Sequence, residues 1–175
     1  DAPLDLDLTL KRLDTPEHSA LAKAVRARVT GRNRVHRLEL SGEFAAHRHM
    51  QLVAAGGFLP VWQWRGQLQE LRVTEATGSR LALRSAAPLD IASDSWSLGP
   101  AELAGESPDW HGELRAAADA HSLRASLTAR GERLGHVTGH LAAGMEGPWT
   151  LARENAWQGR ARIDIADLAW LGKLL

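Results

Sequence analysis

The chain has 175 residues, 21 basic and 21 acidic side chains, and no cysteine. Balanced charge gives no general attraction to nucleic acid, so we expect no nucleic-acid partner. The missing cysteines exclude a disulfide framework and thiolate metal sites. The longest nearly apolar run, residues 52–62, is too short to span a bilayer and contains two glycines and Pro60. Because the chain opens with Asp1 and alternates almost at once, we expect 1–175 to be one segment of a longer protein.

The first part of the chain predicts strands with one apolar face. Leucine alternates with polar residues over 4–10, and valine or alanine does so over 25–29. A turn at 31–33 leads into a strand at 35–40, and 42–55 holds one or two more before Gly56, Gly57 and Pro60 end it. Between the first two strands, Thr15 followed by Pro16 predicts the start of a short helix.

The rest of the chain predicts shorter strands, most of about five residues, at hairpin spacing. They cover 80–84, 89–92, 95–98, 101–104, 114–118, 123–129, 134–142 and 159–165. The apolar phase slips by one residue near Gln69 and Glu70, which predicts a β-bulge and hence a curved sheet. A final short helix is expected from Asp167 onward.

A Trp-x-Gly unit recurs and gives the chain a period. Its three copies start at tryptophans 46 and then 47 residues apart, and such a period indicates a repeated sheet unit. Residues i and i+2 share a strand face, so each indole is expected to lie over the bare backbone of its glycine. The structural pairs are Trp64 with Gly66, Trp110 with Gly112, and Trp157 with Gly159. The alternative is that exposed tryptophans form a sugar-stacking platform, a glycan-binding module.

Together these patterns predict an all-β fold: one curved antiparallel sheet that forms an apolar groove, with at most short helices. Few large aromatic residues and many small aliphatic ones suggest that no second layer covers the inner face. An uncovered apolar face of this extent implies a ligand or a partner. The expected groove residues alternate with Arg, Ser, Thr, His and Asp; they are Leu81, Leu83, Leu123, Leu127, Val137, Leu141, Ile163 and Ile165.

No pattern in the sequence indicates catalysis. His47 with His49, and His136 with His140, are the nearest approach to metal pairs, but neither has a third ligand at suitable spacing. Nucleophile-elbow, P-loop and HExxH patterns are absent. We therefore expect no enzyme activity, no cofactor, no catalytic residue and no metal site.

Several segments resemble the periplasmic part of the TamB family, the translocation and assembly module subunits. They are Gly31 with 36–40, then 64–71, 96–101, 157–159 and 163–171. The resemblance implies a segment of a long AsmA-like protein of Gram-negative bacteria. Such proteins are anchored in the inner membrane by a helix that has no counterpart in these residues, and they meet TamA, a barrel protein of the outer membrane. The fold it implies is the β-taco, a curled sheet with an apolar groove.

The resemblance also implies a function in outer-membrane biogenesis. The first hypothesis is that the groove conducts phospholipid across the periplasm, with acyl chains as its ligand. The second is a chaperone-like interaction module that, with TamA, receives strands of outer-membrane protein clients. Both hypotheses use the same apolar face, and the sequence leaves both open.

Overall fold

A computed structural model describes residues 2–13, 22–44, 48–60, 62–106, 109–132, 135–150 and 158–164 of the chain. These residues form twelve strands and, within the described ranges, no helix. The strands are β1 (Pro3–Leu13), β2 (Ala22–Arg32), β3 (Val35–Phe44), β4 (Arg48–Leu59), β5 (Gln63–Thr74), β6 (Arg80–Leu83), β7 (Ala87–Ile91), β8 (Trp96–Glu106), β9 (Trp110–Ala118), β10 (Ser122–Gly131), β11 (Gly135–Gly144) and β12 (Gln158–Asp164). The short helices expected from Thr15 and from Asp167 lie outside the described residues.

All twelve strands belong to one curved antiparallel sheet, which confirms the predicted fold class. The strands follow chain order across the sheet, except that β6 and β7 lie end to end in one position between β5 and β8. Nearly every connection is therefore a hairpin between neighbours. This topology suits a chain of alternating segments joined by short turns, because each strand pairs with the segment that precedes it.

The predicted strand length is wrong for most of the sheet. Nine strands have nine to twelve residues rather than about five. The strands expected over 95–98 and 101–104 are one strand, β8, which begins at Trp96 and covers 96–98 and 101–104. Gly99 and Pro100 lie at a register shift within it, and Gly56 and Gly57 likewise lie inside β4. Glycine and proline here bend strands and allow close backbone contact instead of ending strands.

Irregular pairing bends the sheet along one line. The register of β4 with β5 shifts opposite Gln69, so the bulge predicted from the phase slip near Gln69 and Glu70 is confirmed. Beside it, residues 84–86 interrupt the position shared by β6 and β7, and β8 shifts next to them at Gly99. Bulges increase local twist and bend their strand, so three adjacent irregularities curve the sheet about this line. A further register shift lies in β2 between Lys23 and Arg26.

The sheet has one apolar and one polar face. Cross-strand register places Leu6 of β1 on the same face as Val29, Leu38 and Ala54. The same face continues from strand to strand as far as β12. The buried hydrophobic residues all belong to this apolar face: Ala22, Ala54, Trp64, Leu68, Ala87, Ala101, Leu103, Ala118, Ala129, Ala143 and Met145. A flat single layer leaves both faces open to water. Burial confined to one face therefore identifies that face as the inside of the curve.

Candidate apolar binding face

The predicted groove residues of the described region share the apolar face. Leu81 pairs with Gly105 and Leu83 with Leu103, both on β8. β8 in turn pairs with β9, which connects this face to the later strands. The pairs that continue the same face are Leu123 with Ala143, Leu127 with Gly139, Val137 with Ile163, and Leu141 with Gly159. Ile163 is placed by its backbone register alone, and Ile165 lies outside the described residues. The other six side chains are partly exposed, Leu141 by 37%.

A depression of about 380 Å³ opens on the apolar face between β9 and β12. Its apolar walls come from Leu114, Leu127 and Leu141, and its floor includes Gly139 and Gly159. A Cβ atom added at Gly139 would meet no atom within 4 Å. These glycines therefore do not serve close backbone contact, and the space above Gly139 is open to a ligand.

Several residues of the apolar face in the first half of the sheet are missing from the predicted groove set. They continue the face by direct register from β3 to β5 and comprise Leu38, Leu40, Leu52, Ala54, Leu68, Leu71 and Val73. The alternation in 35–40 and the bulge at Gln69 were sufficient to find them. Because the bulge at Gln69 shifts the apolar–polar alternation by one residue, Leu68 and Leu71 lie on the same face although they are three residues apart.

Trp64 has the arrangement expected of its motif. Its indole is 8% exposed, and a Cβ atom on Gly66 would lie 2.5 Å from its Cη2 atom. The same ring also covers Gly56, which pairs with Gly66 across β4 and β5. The Trp64 Nε1–H donates a hydrogen bond to Nε2 of His36 at 2.8 Å. The Trp64 ring therefore has no open face for a sugar.

His36 is the buried polar side chain of the described residues, with 6% exposure. Because its Nε2 atom accepts from Trp64, its Nδ1 atom donates to the carbonyl oxygen of Arg32 at 3.2 Å. The ring also stacks on Phe58, with ring centres 5.2 Å apart. Both ring nitrogens are thus satisfied, so His36 belongs to the packing of this end of the sheet.

Trp110 departs from the expected arrangement. A Cβ atom on Gly112 would lie nearest to atoms of Thr128 and Ala129 instead of the indole of Trp110. The ring instead covers Gly105, its direct partner on β8. The prediction that the Trp110 indole lies over Gly112 is therefore wrong. The indole lies over the backbone of Gly105 instead, because this cross-strand glycine is closer to the ring. Trp157 lies outside the described residues, and the nearest atoms to a Cβ on Gly159 are 3.8 and 3.9 Å away.

The period of the motif corresponds to three strand positions. The motif strands β5, β9 and β12 stand three places apart in the order of the sheet. Because three is odd and all pairs are antiparallel, β5 and β9 run in opposite directions. Trp64 and Trp110 consequently lie at opposite ends of the sheet, and register places Trp96 at the same end as Trp64.

Two other tryptophans are exposed. Trp62, in the turn between β4 and β5, is 85% exposed, and Trp149 is 64% exposed. Trp149 stacks on Trp96 with 6.1 Å between ring centres, and Trp96 donates from Nε1 to the carbonyl oxygen of Pro148 at 2.8 Å. The segment after β11 thus lies against the apolar face at Trp96. A sugar platform would have to use these rings and not Trp64.

The histidine pairs do not form a metal centre in the part of the chain that the structure describes, where no group of three metal-ligating side chains occurs. His136 accepts a hydrogen bond at Nδ1 from Nε of Arg130 at 3.2 Å, and His140 is exposed. His47 lies outside the described residues, and His49 is exposed. Among the described residues no helix has the length and hydropathy needed to cross a membrane.

No protein-family model, curated protein or solved structure matches this chain.

Proposed function

We propose that this chain is a lipid-binding segment of a TamB-like protein, whose apolar face holds phospholipid acyl chains on their way across the periplasm of a Gram-negative bacterium. The observation that carries the proposal is the continuity of that face from β1 to β12. Its buried polar side chain, His36, has both nitrogens satisfied within the protein. As far as the structure describes this face, its buried polar group is therefore not available to a polar ligand, while its aliphatic side chains offer contact to a hydrocarbon.

The energy of lipid transfer gives the reason for such a face. Two acyl chains of ~16 carbons, at ~0.8 kcal/mol per CH₂, place a bare phospholipid about 25 kcal/mol uphill in water. An apolar surface that runs from strand to strand removes most of this cost without any chemical step. The proposed activity is accordingly binding and passage, with no cofactor and no catalytic residue.

The depression beside Gly139 is the best-defined place for an acyl chain within the segment. The apolar-face residues that line it on β9 to β12 are leucine, alanine and glycine, between which Ser126, His140 and Arg160 also border it, and Leu141 is 37% exposed beside it. The wider context follows from the TamB resemblance: residues 1–175 would be one part of a longer chain that is anchored in the inner membrane and contacts a TamA-like outer-membrane protein.

A second function, binding of strands from outer-membrane protein clients, is favoured by one observation. β1 lies at the end of the sheet order, with β2 as its partner among the described strands. Its Leu6 and Leu8 are 48% and 54% exposed. An added strand would complete the hydrogen bonds of this edge and cover both leucines.

Photo-crosslinking in the full-length protein in cells tests the two functions. A photoreactive residue is placed at Leu83, Leu127 or Ile163, and matched controls replace Ala82, Ser126 or Arg162, which are their neighbours on the opposite register face. Lipid conduction predicts phospholipid adducts at the first three positions and few at the controls. Adducts to protein alone, with lipid absent, would overturn lipid conduction in favour of client binding.

A charge placed in the depression sharpens the test. Gly139→Arg introduces a cation where the added side chain begins in open space, so folding is preserved while acyl contact becomes unfavourable. The control Thr138→Arg carries the same charge one residue earlier, on the polar face. We expect Gly139→Arg to reduce lipid adducts at Leu127 and Thr138→Arg to leave them unchanged.

A further inference from the structure

Several arginines of the polar face form ion pairs with carboxylates. Among the described residues these pairs measure 2.7 to 3.6 Å, and only Arg48 of the arginines that follow lies on the apolar face by register. The pairs are Arg37 with Glu39, Arg48 with Glu75, Arg65 with Asp90, Arg72 with Glu70, Arg80 with Glu106, Arg115 with Glu113, and Arg162 with Asp164. Ion pairs of this kind thus recur across the described surface.

Arg124 and Arg160, like Arg26 and Arg28, form no ion pair with any residue in the described ranges. Arg124 on β10 lies opposite Ala117 and Ala142, and Arg160 on β12 lies opposite His140. No carboxylate occupies a directly opposed strand position for either guanidinium. Two positive charges that no ion pair compensates among the described residues therefore lie on β10 and β12, on either side of β11, although Asp90 and Asp119 line a neighbouring depression with Arg124.

A depression of about 760 Å³ lies among these cations. Its lining includes residues of both register faces, such as Ala125 and Leu141 of the apolar face. All its polar side chains belong by register to the polar face, and the depression is therefore assigned to that face. Small residues, Ala117 and Ala142, lie between the long arginine side chains and leave the space. We name this site the cationic basin; its polar lining consists of Arg115, Arg124, Arg160, His140, Ser97, Ser126 and Gln158.

The donors of the cationic basin match the chemistry of a phosphate group. Guanidinium groups bind phosphate oxygens through paired N–H donors, and hydroxyl and amide groups add further donors. Arg115 is already engaged by Glu113 at 2.8 Å, so the uncompensated charge comes from Arg124 and Arg160. Two cations match the double charge of a phosphomonoester better than the single charge of a carboxylate.

We propose that the cationic basin binds a phosphomonoester, held between Arg124 and Arg160 with Ser126 and His140 beneath it. The site lies on the opposite face from the proposed acyl groove and does not depend on it. Two sources carry this chemistry: a soluble phosphate ester, and the phosphate head of a membrane lipid. An acidic protein segment fits less well, because its carboxylates carry one charge each.

Titration of the chain with glycerol 3-phosphate, followed by NMR, tests the proposal. The variant Arg124→Gln with Arg160→Gln removes both uncompensated charges. The matched control, Arg37→Gln with Arg72→Gln, removes two charges from arginines paired elsewhere on the same face. We expect the first variant to bind at least about tenfold more weakly, since each charged hydrogen bond exceeds the free energy of a tenfold change. The control should keep its affinity within about twofold.

Vesicles distinguish the two sources. The phosphate is assigned to a membrane lipid if the chain cosediments with phosphatidic acid vesicles but not with phosphatidylcholine vesicles. This cosedimentation should be lost in the double variant Arg124→Gln with Arg160→Gln. Saturable binding of glycerol 3-phosphate without cosedimentation assigns it to a soluble ester. Equal loss of affinity in both double variants, or no saturable binding by the unaltered chain, would overturn the proposal. Thermal melts of both variants, expected to be unchanged, exclude unfolding as the cause.

Discussion

Two regions of the apolar face use glycine in opposite ways. In the packed region, around Gly56 and Gly66, the indole of Trp64 fills the space above the bare backbone. In the open region, an added Cβ atom would meet no atom within 4 Å at Gly139 and only atoms at 3.8 and 3.9 Å at Gly159, and a depression of about 380 Å³ lies there. The same residue type therefore stabilises the sheet at one place and leaves room for a ligand at the other.

This difference separates structural residues from binding residues within one continuous surface. Trp64 contributes burial and a hydrogen bond that the fold requires, so its environment is complete without a ligand. The leucines around Gly139 are partly exposed, so their hydrophobic contacts are incomplete. Substitutions in the packed region should change stability, and those in the open region should change binding.

The largest effect is expected for Trp64→Ala. Removing a large buried ring leaves a cavity over Gly56 and Gly66, and we expect a loss of about 3–5 kcal/mol in the free energy of unfolding. The control Trp62→Ala removes a ring that is 85% exposed and should change stability by less than about 0.5 kcal/mol. Urea denaturation followed by circular dichroism measures both. Equal effects of the two substitutions would contradict the packed role of Trp64.

Sequence alternation was sufficient to predict the two faces of the sheet, because side chains alternate with a period of two. Leu123, Leu127 and Val137 were assigned to a common face on this basis, and the phase slip at Gln69 identified the bulge. The contact of the Trp110 indole with Gly105 was not predictable, because it depends on which residue of β8 pairs with Trp110 of β9. Likewise, Gly57 continues β4 because the backbone of Arg34, distant in sequence, lies against it. The cationic basin also depends on cross-strand neighbours, which periodicity within one strand does not reveal.

The next effect is expected for His36→Leu. This substitution keeps an apolar side chain beneath Phe58, but it leaves the indole N–H of Trp64 without its acceptor and removes the donor that His36 offers to the carbonyl of Arg32. Burying unsatisfied polar groups costs about 1–3 kcal/mol, and we expect a loss of that size. His111→Leu, on the exposed polar face, is the matched control. An unchanged denaturation midpoint for His36→Leu would show that the hydrogen bond to Trp64 does not stabilise the packed region.

A pair of glycine substitutions compares the two regions directly. Gly66→Ala places its Cβ 2.5 Å from Cη2 of Trp64 and 2.7 Å from Cα of Gly56, so the overcrowded site should lose about 1–3 kcal/mol. Gly139→Ala meets no atom within 4 Å and restricts the unfolded chain, so it should gain up to about 1 kcal/mol. Thermal unfolding of both variants measures the contrast. Equal destabilisation would mean that the space above Gly139 is closed in solution.

The smallest effect concerns Asp119, whose turn supports the segment beside the open region. This segment docks through hydrogen bonds from Met145 to the carbonyl of His121 and from Gly147 to that of Ala120. The backbone N–H of His121, followed by the hydroxyl and N–H of Ser122, donates to the Asp119 carboxylate and lowers its pKa from the ordinary value of 3.8. A carboxyl group whose pKa is lowered by folding stabilises the folded state above that ordinary value, and this contribution is lost as the pH falls through the folded pKa.

Asp119→Asn should therefore lower the melting temperature slightly at neutral pH, and the difference from the unaltered chain should shrink as the pH falls below about 3.8. Asp94→Asn, also an exposed carboxylate near a turn, controls for the loss of one charge. The effect is expected to be small because the carboxylate is exposed and water competes for its hydrogen bonds. A melting difference that persists unchanged at acidic pH would assign the effect of Asp119→Asn to the altered side chain and not to its charge.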